Sequence, residues 1–157
     1  MIAPIKKQLA KAFPIYELKI TLCGSKPPIW RRVQVPGGIK LNHFHDVLQI
    51  VMGWTDSHLH QFGSGSRYHG PETEYYLCPY QVEEGEPGVP EEEVRLDEVL
   101  ADPGDTLCYL YDFGDSWEHV IRLEAVAPWD DTAPGRSAWT TDATARPRTA
   151  AAWAAMS

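Results

Sequence analysis

Four histidines and two aspartates are the residues of this chain best suited to chemistry: His45, His58 and His60 in mid-chain, and Asp112, Asp115 and His119 near the end of the patterned region. His58 and His60 have the i, i+2 spacing that puts two imidazoles on one side of a strand. Imidazole and carboxylate together suit a divalent, zinc-like metal, so His58, His60, His119 and Asp112 are the expected ligand set. Asp112 and Asp115 sit at the tip of an alternating segment, 107–123, which reads as a β-hairpin turning at Gly114-Asp115-Ser116. That turn would set Phe113 opposite Trp117, Tyr111 opposite His119, and Asp112 opposite Glu118. Two facing carboxylates repel, so a cation is expected beside them, and Arg31 is the residue expected to supply it. No nucleophile and base pair emerges, because Ser116 and His119 lie only three apart on one hairpin strand.

The elements that must position these groups follow from periodicity. Residues 16–23 alternate, with Tyr16, Leu18, Ile20 and Leu22 on one face, and read as a half-buried strand. After a Gly-Ser-Lys-Pro-Pro turn, residues 29–35 return with Ile29, Arg31, Val33 and Val35 on the inner side. Residues 42–52 form the one clear helix, since Leu41, Phe44, Leu48, Val51 and Met52 share a stripe and Gly53 supplies the stop. His45 lies at the edge of that stripe. Residues 58–62 read as a short strand, 74–78 as another and 94–100 as a brief helix. The stretch holding Glu83, Glu84, Glu86, Glu91, Glu92 and Glu93 is broken by glycine and proline, and reads as a solvated loop. The fold class expected is α+β: a mainly antiparallel sheet with one main helix packed on one face, in the order ββαβ, loop, short α, ββ.

The chain has 157 residues, enough for one domain, with a formal net charge of -8. That charge opposes broad phosphate-backbone binding, which depends on clustered Lys and Arg. Cys23, Cys78 and Cys108 are odd in number and widely spaced, which fits a reducing compartment better than a disulfide framework. With no apolar run of signal-peptide or membrane-span length, a cytosolic location is expected.

Pro28-Ile29-Trp30-Arg31-Arg32, the helix from Phe44-His45 to Met52-Gly53-Trp54, His58-Leu59-His60-Gln61-Phe62 and Tyr111-Asp112-Phe113-Gly114-Asp115-Ser116-Trp117-Glu118-His119 occur in this order. Through these four separated motifs, over residues 15–125, the chain resembles the Ri-plasmid ORF-three-like proteins, also known as insertion-element passenger TnpR proteins. The resemblance implies a cytosolic α+β domain associated with plasmids and mobile elements, without an assigned activity.

Residues 1–14 are expected to be an N-terminal extension, 15–127 the domain and 128–157 a disordered, low-complexity tail. Residues 133–157 contain no Leu, Ile, Val, Phe or Tyr. Members of the resembled family continue there with Cys-Pro-Pro-Glu-Asp-Cys-Gly-Gly. Permitted codons for residues 144–157 spell that motif in a shifted frame, so a frameshift shortly before Asp131 is expected.

The ligand surface expected comprises Arg31, His45, Trp54, His58, His60, Asp112, Asp115, Trp117 and His119. The function expected is non-enzymatic: a binding or accessory domain for a small ligand or a protein, with no membrane and no broad nucleic-acid partner. The alternative is a metal-dependent hydrolase or nuclease using the His/Asp cluster. A DNA-binding recombination factor is opposed by the acidic charge.

Overall fold

The computed structural model describes residues 14–128 and the backbone of 140–141. Eight strands form one sheet: β1 (Ile15–Leu22), β2 (Ile29–Pro36), β3 (His60–Ser64), β4 (Tyr75–Leu77), β5 (Val89–Pro90), β6 (Thr106–Tyr111), β7 (Trp117–Ala127) and β8 (Thr140–Thr141). Their order is β5-β4-β3-β6-β7-β1-β2-β8, and every pair is antiparallel except β4 with β5. The main helix is α1 (Leu41–Met52), with two short ones, α2 (Pro79–Glu83) and α3 (Leu96–Val99). The chain is thus α+β with a mainly antiparallel sheet. The short elements α2, β5 and β8 have too few residues to show a period, and periodicity does not reveal them. The expectations for 1–13 and for most of 128–157, the reading frame included, fall outside the described residues.

The side chains of α1 explain where it sits. Leu41, Phe44, Leu48 and Met52 are fully buried, and Phe44 stacks on Phe62 of β3 with ring centroids 6.1 Å apart. Gly53 ends the helix in a left-handed conformation, φ 77°, donating its N–H back to the carbonyls of Gln49 and Ile50, a geometry that costs glycine nothing. His45 and Gln49 are one turn apart on this buried face. They bring polar atoms over the sheet rather than into solvent.

Across the sheet, registered pairs build two rows on the face that α1 covers. Phe62, Tyr109, His119, Leu22 and Ile29 form one; His60, Tyr111 and Trp117 form the next. The hairpin faces therefore follow the alternation, but its register differs from the expected one by two residues on one strand. Tyr111 faces Trp117 and Tyr109 faces His119. The cause is a longer turn: Asp112 and Ser116 both take left-handed conformations, φ 65° and 55°. Ser116 donates its N–H to the Asp112 carbonyl, 2.6 Å, and Asp112 Oδ1 accepts the N–H of Gly114 at 3.1 Å and of Asp115 at 3.4 Å.

Two expectations fall with that register. Glu118 faces Leu110, not Asp112, so the opposed carboxylate pair does not form. Arg31 lies opposite Ile20, which in turn faces Ile121, on the covered face. Glu118 alternates to the other side. Arg31 Nε instead donates to the Val51 carbonyl at 3.0 Å, placing a buried cation at the C-terminal end of α1, where the helix dipole favours positive charge.

Candidate functional site

The polar groups over the sheet form a wired network centred on Tyr109. Its hydroxyl lies 2.8 Å from Gln49 Nε2 and 2.6 Å from His45 Nδ1. Gln49 Oε1 accepts the Asp56 N–H at 2.7 Å, which fixes the orientation of the amide and makes its nitrogen the donor to Tyr109. Tyr109 must then donate to His45 Nδ1, and His45 Nε2–H donates to Asp56 Oδ1, 2.8 Å away. Asp56 holds a left-handed conformation, φ 53°, which aspartate tolerates better than most residues. Burial, and next the neighbouring His60, push the His45 ring below its ordinary value; burial pushes Tyr109 well above its own.

His60 enters from β3 and stacks on His45, centroids 3.5 Å apart and planes at 9°. Its Nε2 meets Glu91 Oε1 at 2.7 Å, and both side chains are buried. Glu91 belongs to the acidic stretch expected to be solvated. Its neighbours Glu92 and Glu93 are exposed; Glu91 turns inward because the histidine supplies a hydrogen-bond partner that a buried carboxylate requires. A cavity of about 240 Å³ beside it is lined by Asn42, Leu77 and Glu91 among others.

His119 is fully buried and has both nitrogens in use. Nδ1–H donates to the Tyr109 carbonyl at 3.1 Å, and Nε2 accepts the Trp54 indole N–H at 3.2 Å. Burial pushes its pKa down to about 4. It is a neutral buttress with no lone pair left for a metal. His58 precedes β3 instead of lying in it, half-exposed, with Nε2 3.6 Å from Asp112 Oδ2 and its ring edge-on to Tyr111.

The four groups expected to share a metal therefore do not converge. His58 meets Asp112; His60 meets His45 and Glu91; His119 meets Trp54. Among the described residues, the group whose donor atoms all lie within 4.8 Å of one another is His45, Asp56 and His60. Asp56, Glu91, Gln49 and Tyr109 were not singled out by sequence reasoning. Of these, Gln49 carried a signal, as a polar residue one turn from His45 on an otherwise apolar stripe.

At the surface, the 54–59 loop and the 112–116 turn lock together. Asp112 N–H donates to the Leu59 carbonyl and Ser57 N–H to the Tyr111 hydroxyl, both at 2.8 Å. Trp54 packs against Tyr111 and Trp117, with centroids 5.1 and 5.7 Å away. Leu59, Phe113 and Asp115 are exposed beside them. A larger cavity, about 320 Å³, lies against Cys23, Tyr68, Cys108 and Glu118 and also borders His119.

No helix among the described residues is long and apolar enough to cross a membrane. The chain is 39% identical over 116 residues to the uncharacterized protein y4hQ of Sinorhizobium fredii (strain NBRC 101917 / NGR234), covering 73% of this chain and 55% of that one. It thus spans little more than half of that relative's length. It is also similar to the crystal structure of a protein of unknown function, MM3350 from Methanosarcina mazei Go1, at 32% identity and a TM-score of 0.68, over 85% of this chain and 71% of the other. The sequence profile of the plasmid pRiA4b ORF-3-like proteins matches residues 14–148, past the end of the four motifs. With the profile spanning most of its length, the chain belongs to the plasmid pRiA4b ORF-3-like protein family.

Proposed function

We propose that this is a non-enzymatic binding or accessory domain whose ligand surface is the rim made by the 54–59 loop and the 112–117 segment. The observation that carries the reading is the locking of these two segments, Asp112 to Leu59 and Ser57 to Tyr111. It holds Trp54, Trp117, Leu59 and Phe113 beside the carboxylates of Asp112 and Asp115 without a ligand having to organise them, so little ordering entropy is lost on binding. The exposed ring of Phe113 and the exposed carboxylate of Asp115, beside the partly buried Trp54, Trp117 and Asp112, favour a ligand with an apolar body and a positive group, such as a peptide segment bearing arginine. The net charge of -8 acts in the same direction at long range. Arg31, His45, His60 and His119 support this surface from within and do not line it.

The test is fluorescence anisotropy with labelled short peptides in which a leucine or tryptophan is flanked by arginines, against counterparts carrying glutamates. The arginine peptides are expected to bind saturably, and the double variant Asp112→Asn, Asp115→Asn to weaken them about 10-fold, a loss of about 1.4 kcal/mol. Equal binding of both peptide sets, or of neither, contradicts the reading.

A further inference from the structure

We propose that the cavity of about 240 Å³ between the first turn of α1 and the 77–92 segment binds the ammonium group of a primary alkylamine. The site is separate from the rim, and its test is read independently of it. Asn42, Glu83, Glu91 and Glu92 supply the polar lining, Leu77 and Val82 part of the apolar one, and no Lys or Arg among the described residues borders the cavity. Asn42 Oδ1 is closed to solvent and accepts no hydrogen bond among the described residues. A buried amide oxygen in that state is short of a donor. Glu91 is buried too, and its hydrogen bond among the described residues joins Oε1 to His60 Nε2, which leaves Oε2 to accept from a guest.

The walls are held in place by contacts of their own. Leu41 N–H donates to the Val94 carbonyl at 2.9 Å, which ties the start of α1 to the end of the acidic stretch. Leu77 of β4 pairs with Pro90 of β5. Buried Gln81 fixes α2 by accepting the Cys78 N–H at 3.2 Å and donating to Glu86 at 2.9 Å. Among cations, ammonium fits this lining best. A metal ion needs its ligands drawn together, and the acids of this cavity do not bring three donor atoms within 4.8 Å of one another. An ammonium instead donates N–H bonds in three directions at ordinary hydrogen-bond distance, and its alkyl stem lies against Leu77 and Val82. The exposed carboxylates of Glu83 and Glu92 balance its charge. A guanidinium is matched by a carboxylate with both oxygens free, and Glu91 has given one to His60. A water would supply the donor that Asn42 lacks, but no positive charge.

The experiment is a nuclear magnetic resonance titration of the ¹⁵N-labelled full chain with n-pentylamine hydrochloride at constant ionic strength, followed at the Asn42 side-chain amide and the backbone amides of Glu91 to Glu93. Saturable shifts with one dissociation constant are expected, with affinity lowered about 10-fold in Asn42→Ala and in Glu91→Gln. Asn42→Ala should melt, ligand-free, at or above the parent temperature, because the oxygen it removes has no partner; this separates a lost contact from a lost fold. Val82→Trp, at an exposed position of α2, should block the cavity with its charges intact. The rim variant Asp112→Asn, Asp115→Asn should bind the amine as the parent does. A second arm uses N-acetyl-lysine methylamide: its binding assigns the site to a lysine side chain, binding of pentylamine alone assigns it to a free amine, and either upholds the ammonium site. No saturable shift with either compound, an equal response to tetramethylammonium, which has no N–H to donate, or undiminished affinity in Asn42→Ala would overturn the proposal.

Discussion

The imidazole of His45, carried by the helix, lies flat on that of His60, carried by the sheet, with centroids 3.5 Å apart and planes at 9°. Each ring is tied at one nitrogen to a different acid, Asp56 or Glu91. The contact joins the two layers of the fold by polar groups in the middle of an apolar interface, a placement that is stable only while every donor and acceptor is matched.

Tyr109 is the point where that matching is most exposed to loss. Tyr109→Phe removes the hydroxyl that accepts from Gln49 and donates to His45, leaving two buried groups unpaired. The expected cost is about 1–3 kcal/mol, measured by urea unfolding. A Tyr109→Phe protein as stable as the parent would show that the network contributes nothing to the fold.

His119 makes stability depend on pH with a defined sign. Its folded pKa is about 4, pushed down by burial, against about 6.5 when unfolded. Above pH 6.5 the ring is neutral in both states and costs nothing. As pH falls from 6.5 to 4 the unfolded chain takes up a proton that the folded chain refuses, so stability drops, by about 3 kcal/mol at the lower end. His119→Gln should flatten the stability profile over that range while lowering stability at neutral pH, because Gln cannot fill both contacts to Trp54 and Tyr109. Parallel profiles for parent and variant would contradict the assignment.

Arg31 is expected to matter through the helix and not through the hairpin. Arg31→Met retains the buried stem but removes the donor to the Val51 carbonyl and the positive charge at the C-terminus of α1. A loss of about 2 kcal/mol in thermal or urea unfolding is expected. Hydrogen exchange should locate it, with faster amides in the last turn of α1 and little change in the 112–117 turn. Faster exchange confined to that turn would instead support a pairing across the sheet.

The comparison of sequence with structure divides along a physical line. Period-two and helical patterning place β1, β2, α1 and the faces of the β6–β7 hairpin, because each of these buries one side of a regular element and alternation records which side. Asp112 shows where that record stops. Its own side chain caps the turn and takes a left-handed conformation, lengthening the turn and sliding the register by two while every side chain keeps its face. Asp56 and Glu91 were illegible for a different reason. Each owes its role to a histidine distant in sequence, His45 or His60, and nothing local distinguishes Glu91 from the other acids around it. The family resemblance was legible because its motifs are local and ordered, and the four expected ligands do not converge because i, i+2 spacing presumes a strand that includes both His58 and His60, whereas β3 begins only at His60.

The central claim, that the 54–59 loop and the 112–117 segment form one ligand surface, is tested most directly by nuclear magnetic resonance. The ¹⁵N-labelled chain is titrated with the arginine-flanked tryptophan peptide. The account predicts concerted shifts in the indole N–H signals of Trp54 and Trp117 and in the amides of Ser57, Leu59 and residues 112–117, with one dissociation constant for both segments. Shifts centred on Cys23, Tyr68 and Glu118, or different constants for the two segments, would contradict it.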